Sequence, residues 1–411
     1  MAKLAMLGGE KSVGNPFIKW PVFDQSDIHA VDEVLNSGNW FRYDGKNNEA
    51  FEAAYAQYCG VKYGLTVTNG TAAIEIPLAV LGIGVGDEVI VPSYTFYSTA
   101  SAVLFVGATP VFCDVDPISY NMNLDLLENL ITPRTKAIIP VHFAGLPVDM
   151  DRLNAIAGRH GLTVIEDCAH SHGSSYKGKM TGSLSHVSAF SFQASKNLTS
   201  GEGGLILTDD EALYQKMFTR HTCGRQIGKP WYEHHAVASN IRLTEMQAAL
   251  LLRQFSRLEE QTEQRLQNGL LLEKGLRGCR ELMITQQQEP WSTRRAWHLF
   301  VLRYTPGIEG VSRERFIQAL NAEGVSASGG YPMPLNRQPV FSTIKPPQGL
   351  PSYGELEQPG AETCCAQTIW IAQNQLLGGP EYGQAIVEAI HKVLDNAGEL
   401  RKMEKDPLGC A

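Results

Sequence analysis

Between residues 60 and 208 short apolar runs of strand length alternate with helix-like runs, and that alternation constrains the fold more than any other feature. Residues 63–68, 88–92, 109–115 and 136–142 read as strands, and a further strand ends at Asp167. Residues 71–81, 98–105, 124–131 and 150–160 read as the helices between them. Short strands separated by helices predict an α/β fold, with a mostly parallel sheet covered on both faces. The glycine run Gly82-Ile83-Gly84-Val85-Gly86 imitates a dinucleotide-binding loop, but it follows a helix and precedes a strand. That order is the reverse of the fingerprint, so the run reads as a helix stop and turn.

Beyond this region, residues 243–276 form the longest helical pattern, read as one element bridging two domains. Residues 297–304 read as a strand, 312–324 as a capped helix, 329–351 as a long Gly/Pro-rich loop, and 381–397 as a last helix before a polar tail. At 411 residues with 43% hydrophobic content, the chain can hold about two or three domains with substantial cores. A net charge of −8 with scattered basic residues argues against nucleic acid as a partner. No apolar stretch is long enough to span a membrane, and the N-terminus is too short in apolar residues for a signal peptide, so a cytoplasmic protein is expected. The eight cysteines are dispersed and read as mostly buried free thiols, with no metal site expected.

Lys196 follows the apolar run Ala189-Phe190-Ser191-Phe192 and precedes Gly201-Glu202-Gly203-Gly204. A lysine there is desolvated, and its amine is usable as a nucleophile. Asp167 ends the apolar strand upstream. In parallel sheets ligands collect at the carboxyl ends of strands. A lysine amine and a carboxylate on neighbouring strand ends suit pyridoxal phosphate: the amine forms a Schiff base with the aldehyde, and the carboxylate keeps the pyridine nitrogen protonated. Asn69-Gly70-Thr71 joins a strand to a helix, a place where unpaired N–H groups and a hydroxyl accept a phosphate. Phe96 follows another strand end and can stack on a cofactor ring; Tyr94 is the rival for that place. His170 is placed to hydrogen-bond a cofactor hydroxyl, and with His172 it lacks the further ligands a metal needs. Taken singly, each residue also has an ordinary reading: a surface lysine, a turn aspartate, a helix cap, a core aromatic.

As a set these motifs resemble a known family. Thr68-Asn69-Gly70-Thr71, Pro92-Ser93-Tyr94-Thr95-Phe96, Glu166-Asp167-Cys168-Ala169-His170, Ser191-Phe192-Gln193-Ala194-Ser195-Lys196, Gly201-Glu202-Gly203-Gly204 and Ser239-Asn240-Ile241-Arg242-Leu243-Thr244 stand in the order found in the DegT/DnrJ/EryC1/StrS sugar aminotransferases. The resemblance implies fold type I of the pyridoxal-phosphate enzymes. It divides the chain into a large cofactor domain with an N-terminal arm over 1–260 and a smaller C-terminal α/β domain over 261–411. It implies that Lys196 holds the cofactor, Asp167 pairs with the ring nitrogen, His170 lies near the ring hydroxyl and Phe96 stacks on the ring. Gly70, Thr71 and Ser191 would bind phosphate, and Asn240 would reach in from the partner of a homodimer.

Tyr331-Pro332-Met333-Pro334-Leu335 resembles the family's substrate loop, which makes Tyr331 and Tyr94 candidate substrate contacts. Gln193-Ala194-Ser195-Lys196 with His170-Ser171-His172-Gly173 is more similar to the antibiotic-pathway branch than to the nucleotide-sugar enzymes; that branch includes glutamine-dependent scyllo-inosose and 2-deoxy-scyllo-inosose aminotransferases and 3-amino-5-hydroxybenzoate synthases. The expected reaction moves an amino group from L-glutamine or L-glutamate to the ketone of a cyclitol or sugar. A keto nucleotide-sugar aminotransferase, a dehydratase or aromatase of the aminohydroxybenzoate type, and a non-catalytic sensor are the alternatives.

Overall fold

The computed structural model describes residues 2–14, 18–279, 282–284, 286, 288–305, 310–346, 349 and 351–405. Its central sheet has seven strands: β1 (Tyr63–Val67), β2 (Glu88–Pro92), β3 (Thr109–Cys113), β4 (Thr135–Ile138), β5 (Thr163–Asp167), β6 (Val187–Ser191) and β7 (Gly204–Thr208). They lie in the order β1-β7-β6-β5-β4-β2-β3. Neighbours from β6 to β3 pair in parallel, and β7 runs antiparallel to both β6 and β1. The strands are buried almost throughout, as continuous Val/Ile/Leu-rich runs in a sheet covered on both faces must be.

Strand direction positions the site. β1, β2, β5 and β6 run the same way, so the segments leaving them gather at one edge of the sheet. β5 and β6 are direct neighbours, with Asp167 paired to Ala189. Helix Gly70–Val80 starts two residues after β1, capped by Asn69, whose side chain accepts the Ala72 N–H. It stops before Gly82 and Gly86, both at positive φ, and β2 follows, so the glycine run is a helix stop. On the opposite face of β5 from Asp167, Glu166 accepts hydrogen bonds from the backbone of Gly182 and Leu184 and from His142, pinning the turn that leads into β6.

A second, antiparallel sheet has the order β8-β9-β11-β10, from β8 (Leu282–Ile284), β9 (Leu299–Tyr304), β10 (Ala327–Ser328) and β11 (Thr368–Ala372). Its core of Leu272, Phe300, Phe316, Ile369 and Ile390 also takes in Leu4 and Val13 from the N-terminus.

The structure corrects several boundaries. The pattern over 243–276 is two helices, Glu245–Phe255 and Leu258–Gly275. The chain turns between them where Asp24 and Asp27 each hold Arg257 at 2.7 Å. The helix expected over 124–131 is α-helical only from Leu124 to Leu127 and finishes as a 3-10 turn. The strand expected over 136–142 ends at Ile138, before Pro140. The expected polar tail begins as helix Ala397–Lys405, anchored by the fully buried Leu400, and residues 406–411 lie outside the described residues. The 329–351 loop contains 3-10 turns that put Leu335 and Phe341 into the large core; its residues 347, 348 and 350 lie outside the described residues. The seven described cysteines are free and five of them are buried; Cys410 lies outside the described residues.

Candidate active site

A cavity of about 710 Å³ opens where these strand ends meet. Gly70, Thr71, Phe96, Asp167, His170, Ser191, Lys196 and Tyr331, all singled out from the sequence, line it. Lys196 is half-buried in the turn after β6, and its backbone N–H bonds Gln193 O at 2.9 Å. Desolvation lowers its ammonium to about 8, opposed by attraction to the Asp167 carboxylate. Near pH 7 about a tenth of the amine is therefore unprotonated and able to attack a carbonyl carbon.

Asp167 is 5% exposed. Its Oδ1 accepts the Ala169 N–H (3.1 Å) and its Oδ2 the Thr99 hydroxyl (2.9 Å). Burial pushes its carboxyl above the usual range, against the pull of those donors and of Lys196. A cationic ring nitrogen beside it would restore the ionised form. Thr99 also touches the Thr95 hydroxyl at 3.0 Å, and since Thr99 donates to Asp167, Thr95 donates to Thr99.

His170 and His298 lie with ring centroids 4.2 Å apart. Burial, then the Lys196 cation, lowers both well below the ordinary histidine range, so both are neutral. Their tautomers follow from their partners. His170 Nδ1 accepts the Ala144 N–H (3.3 Å), which puts its proton on Nε2. Asn197 donates its Nδ2 to Ala296 O, so its Oδ1 accepts from His298 Nδ1–H at 3.0 Å.

The phosphate-type end is built by close packing. A Cβ added at Gly70 would meet Ser191 Cβ at 2.7 Å, so only glycine lets helix Gly70–Val80 approach β6 this closely. Thr71 donates to Ser98 Oγ at 2.7 Å, joining the starts of helices Gly70–Val80 and Ser98–Phe105 at the cavity. The first N–H groups of a helix have no partner within it, and its positive end favours an anion. A nucleophilic lysine, a buried carboxylate and an anion cradle in one cavity fit pyridoxal phosphate.

Two sequence-marked residues stand elsewhere. Tyr94 is 2% exposed and packs behind Tyr331, with ring centroids 5.2 Å apart, outside the cavity lining. It is therefore not a direct substrate contact in this conformation: the loop carrying Tyr331 covers it. Asn240 is exposed, bridged to Thr222, and does not line this chain's cavity. Phe96 lines the cavity while 58% exposed.

Sequence reading missed Thr99, His298, Trp20, Trp370 and Gln373, which also line the cavity. Thr99 was within reach, because it stands in the first turn of helix Ser98–Phe105, just after the marked run 92–96. The others come from remote segments with no local pattern to mark them.

The family model described as the DegT/DnrJ/EryC1/StrS aminotransferase family matches residues 21–391. L-glutamine:2-deoxy-scyllo-inosose aminotransferase of Micromonospora echinospora is 36% identical, with 98% of this chain and 100% of that protein covered. The crystal structure of 3-amino-5-hydroxybenzoic acid synthase superposes with a TM-score of 0.86 at 33% identity, covering 93% of this chain and 99% of that one. The aminotransferase from Psychrobacter cryohalolentis gives a TM-score of 0.86 at 33% identity, over 93% of this chain and 100% of its own.

Proposed function

Because the chain belongs to the DegT/DnrJ/EryC1/StrS aminotransferase family, we propose that it moves an amino group from L-glutamine or L-glutamate to the ketone of a cyclitol, a scyllo-inosose-type ring being the favoured acceptor. The protein is an aminotransferase and its cofactor is pyridoxal phosphate. The observation that carries the reading is Lys196 and the buried Asp167 facing one cavity from neighbouring strand ends.

When bound, the cofactor supplies the electron sink for the bond broken at the amine carbon. Lys196 would hold it, and its neutral amine would take the proton from the donor's α-carbon and deliver it to the cofactor within the same half-reaction, the reverse transfer serving the acceptor. Asp167, as the carboxylate, would keep the ring nitrogen protonated, and Thr99 fixes that carboxylate. Gly70, Thr71 and Ser191 bind phosphate, His170 offers its Nε2–H to the ring hydroxyl, and Phe96 packs on the ring. Tyr331 contacts the substrate. Donor and acceptor use one cavity in turn, so ping-pong kinetics follow.

In this reading the chain works as a homodimer, and Asn240 of each subunit reaches the other's cavity. Support comes from its exposed position at the end of a loop carrying the exposed Trp231, Tyr232 and Val237. Two sheets, each with its own main core cluster, support a division near residue 260, which the chain crosses both ways: Leu335 and Phe341 pack in the large core, and Leu4 and Val13 of the N-terminal arm pack in the second. Among the described residues no helix is long and apolar enough to cross a membrane. A cytoplasmic location suits the free thiols.

The test supplies L-glutamine or L-glutamate with scyllo-inosose, 2-deoxy-scyllo-inosose or a nucleotide-linked keto sugar, and identifies the product. An amine from a ketocyclitol is expected. An aromatic product would replace transamination by dehydration. Absence of α-proton exchange of either donor in deuterated water would leave a sensor.

A further inference from the structure

Arg265, in helix Leu258–Gly275, is fully buried and forms no ion pair among the described residues. Its Nε and Nη2 both donate to Gln373 Oε1, at 2.9 and 2.6 Å, and its Nη1 has no partner among the described residues. The Trp20 ring lies 5.3 Å from the guanidinium. Burial lowers Arg265 to about 9, with no acidic neighbour acting against it. A buried cation without a counter-charge is destabilising, so something must compensate it in the working protein.

Its surroundings show where that charge can come from. Gln373 (3% exposed) and Trp20 line the cavity that holds Lys196. Both hydrogen bonds from Arg265 end on Gln373 Oε1, so the remaining polar atom of that side chain is Nε2, which only donates. Neighbouring bonds hold the wall in place: Asn374 Nδ2 to Ile18 O at 2.6 Å, and Trp20 Nε1 to Ala194 O at 2.8 Å. The phosphate cradle uses other elements, helix Gly70–Val80 and Ser191. The wall thus offers a second, separate attraction for an anion. Of the two substrate classes, only the amino acid always carries a carboxylate; a ketocyclitol is neutral.

We propose that Gln373 and Arg265 recognise a carboxylate of the amino-acid donor, with Gln373 Nε2 donating to it and Arg265 supplying the counter-charge from behind. Gln373 is then a binding residue and Arg265 a positioning residue. The proposal rests on the aminotransferase reading.

The test uses the holoenzyme. Absorbance follows the single half-reaction with L-glutamine, giving a saturation constant and a limiting rate. Calorimetry with 2-methyl-L-glutamine, which lacks an α-proton, reads binding alone. Gln373→Leu and Gln373→Glu should raise the saturation constant and weaken 2-methylglutamine by roughly tenfold or more, the size of a lost hydrogen bond to a charged group. The limiting rate and the cofactor spectrum should stay near wild type. Arg265→Lys should retain more affinity than Arg265→Gln.

In the wild type, 4-aminobutanamide, which is glutamine without its carboxylate, should compete far more weakly than glutamine. That comparison needs no variant. Equal competition by 4-aminobutanamide overturns the inference, as do wild-type constants in Gln373→Leu. If the wild type is converted by neither glutamine nor glutamate, the aminotransferase reading itself falls, a result separate from the variant data.

Discussion

Replacing Gly70 with alanine measures how tightly the anion cradle is built. The new Cβ would stand 2.7 Å from Ser191 Cβ, 3.1 Å from its Oγ and 3.3 Å from its Cα. Carbon atoms prefer about 3.5–4.0 Å, so helix and strand must part by roughly 1 Å. Ser191 has little room to retreat. Its carbonyl accepts His172 Nε2–H at 2.8 Å, and His172 Nδ1 accepts the Tyr55 hydroxyl at 2.8 Å, with both rings fully buried. Overpacking of this kind costs about 1–3 kcal/mol. If the cost falls on the cofactor-binding geometry, the affinity for pyridoxal phosphate drops by roughly 5- to 150-fold.

The assay is titration of the apoprotein with pyridoxal phosphate, read by absorbance, with circular dichroism confirming the fold. A companion pair sharpens it. Ser191→Gly removes the clashing Cβ, so Gly70→Ala should do less damage in that background than alone, a coupling that distant sites do not show. Unchanged cofactor affinity in Gly70→Ala, or strictly additive losses in the double variant, would refute the packing argument.

Asp167→Asn should keep the fold and lose about three orders of magnitude in turnover, or about 4 kcal/mol of barrier. Because burial raises the Asp167 carboxyl, its ionised form is destabilising in the apoprotein, so the variant should melt no lower than wild type. Near-normal turnover would reject its role. Cofactor uptake by the apoprotein should rise with pH through a midpoint of about 8, where half of Lys196 is neutral, and level off about one unit higher; one unit below the midpoint about a tenth of the amine is reactive. A stopped-flow profile still climbing at pH 10 would mean an ordinary, solvated lysine. Lys196→Ala should abolish the borohydride-reducible visible band, and its persistence would exclude Lys196 as the attachment point.

Much of this was open to reading along the chain. The strand–helix alternation anticipated the parallel sheet, and helices Ser98–Phe105 and Met150–His160 fall on the residues expected for them. Lys196, Asp167, Gly70 and Thr71 could be marked because each stands at a strand end or within five residues beyond it, and strand direction in a parallel sheet carries such positions to one edge. Local signals failed where packing overrides pattern. The break at Ser256–Arg257 is held by Asp24 and Asp27, more than 200 residues earlier, and helix Ala397–Lys405 is anchored by Leu400, with Ala397 and Met403 packed against the same core.

The chain alone therefore determined the sheet, the lysine and its opposing carboxylate, since these depend on order along one strand and the next. Only the tertiary structure decided that Tyr94 sits behind Tyr331, that His298 lies against His170, and that Arg265 stands uncompensated behind Gln373. Those contacts join segments about 100 to 240 residues apart. Their energies depend on burial and on which polar atoms find partners, and neither exists until the chain has closed.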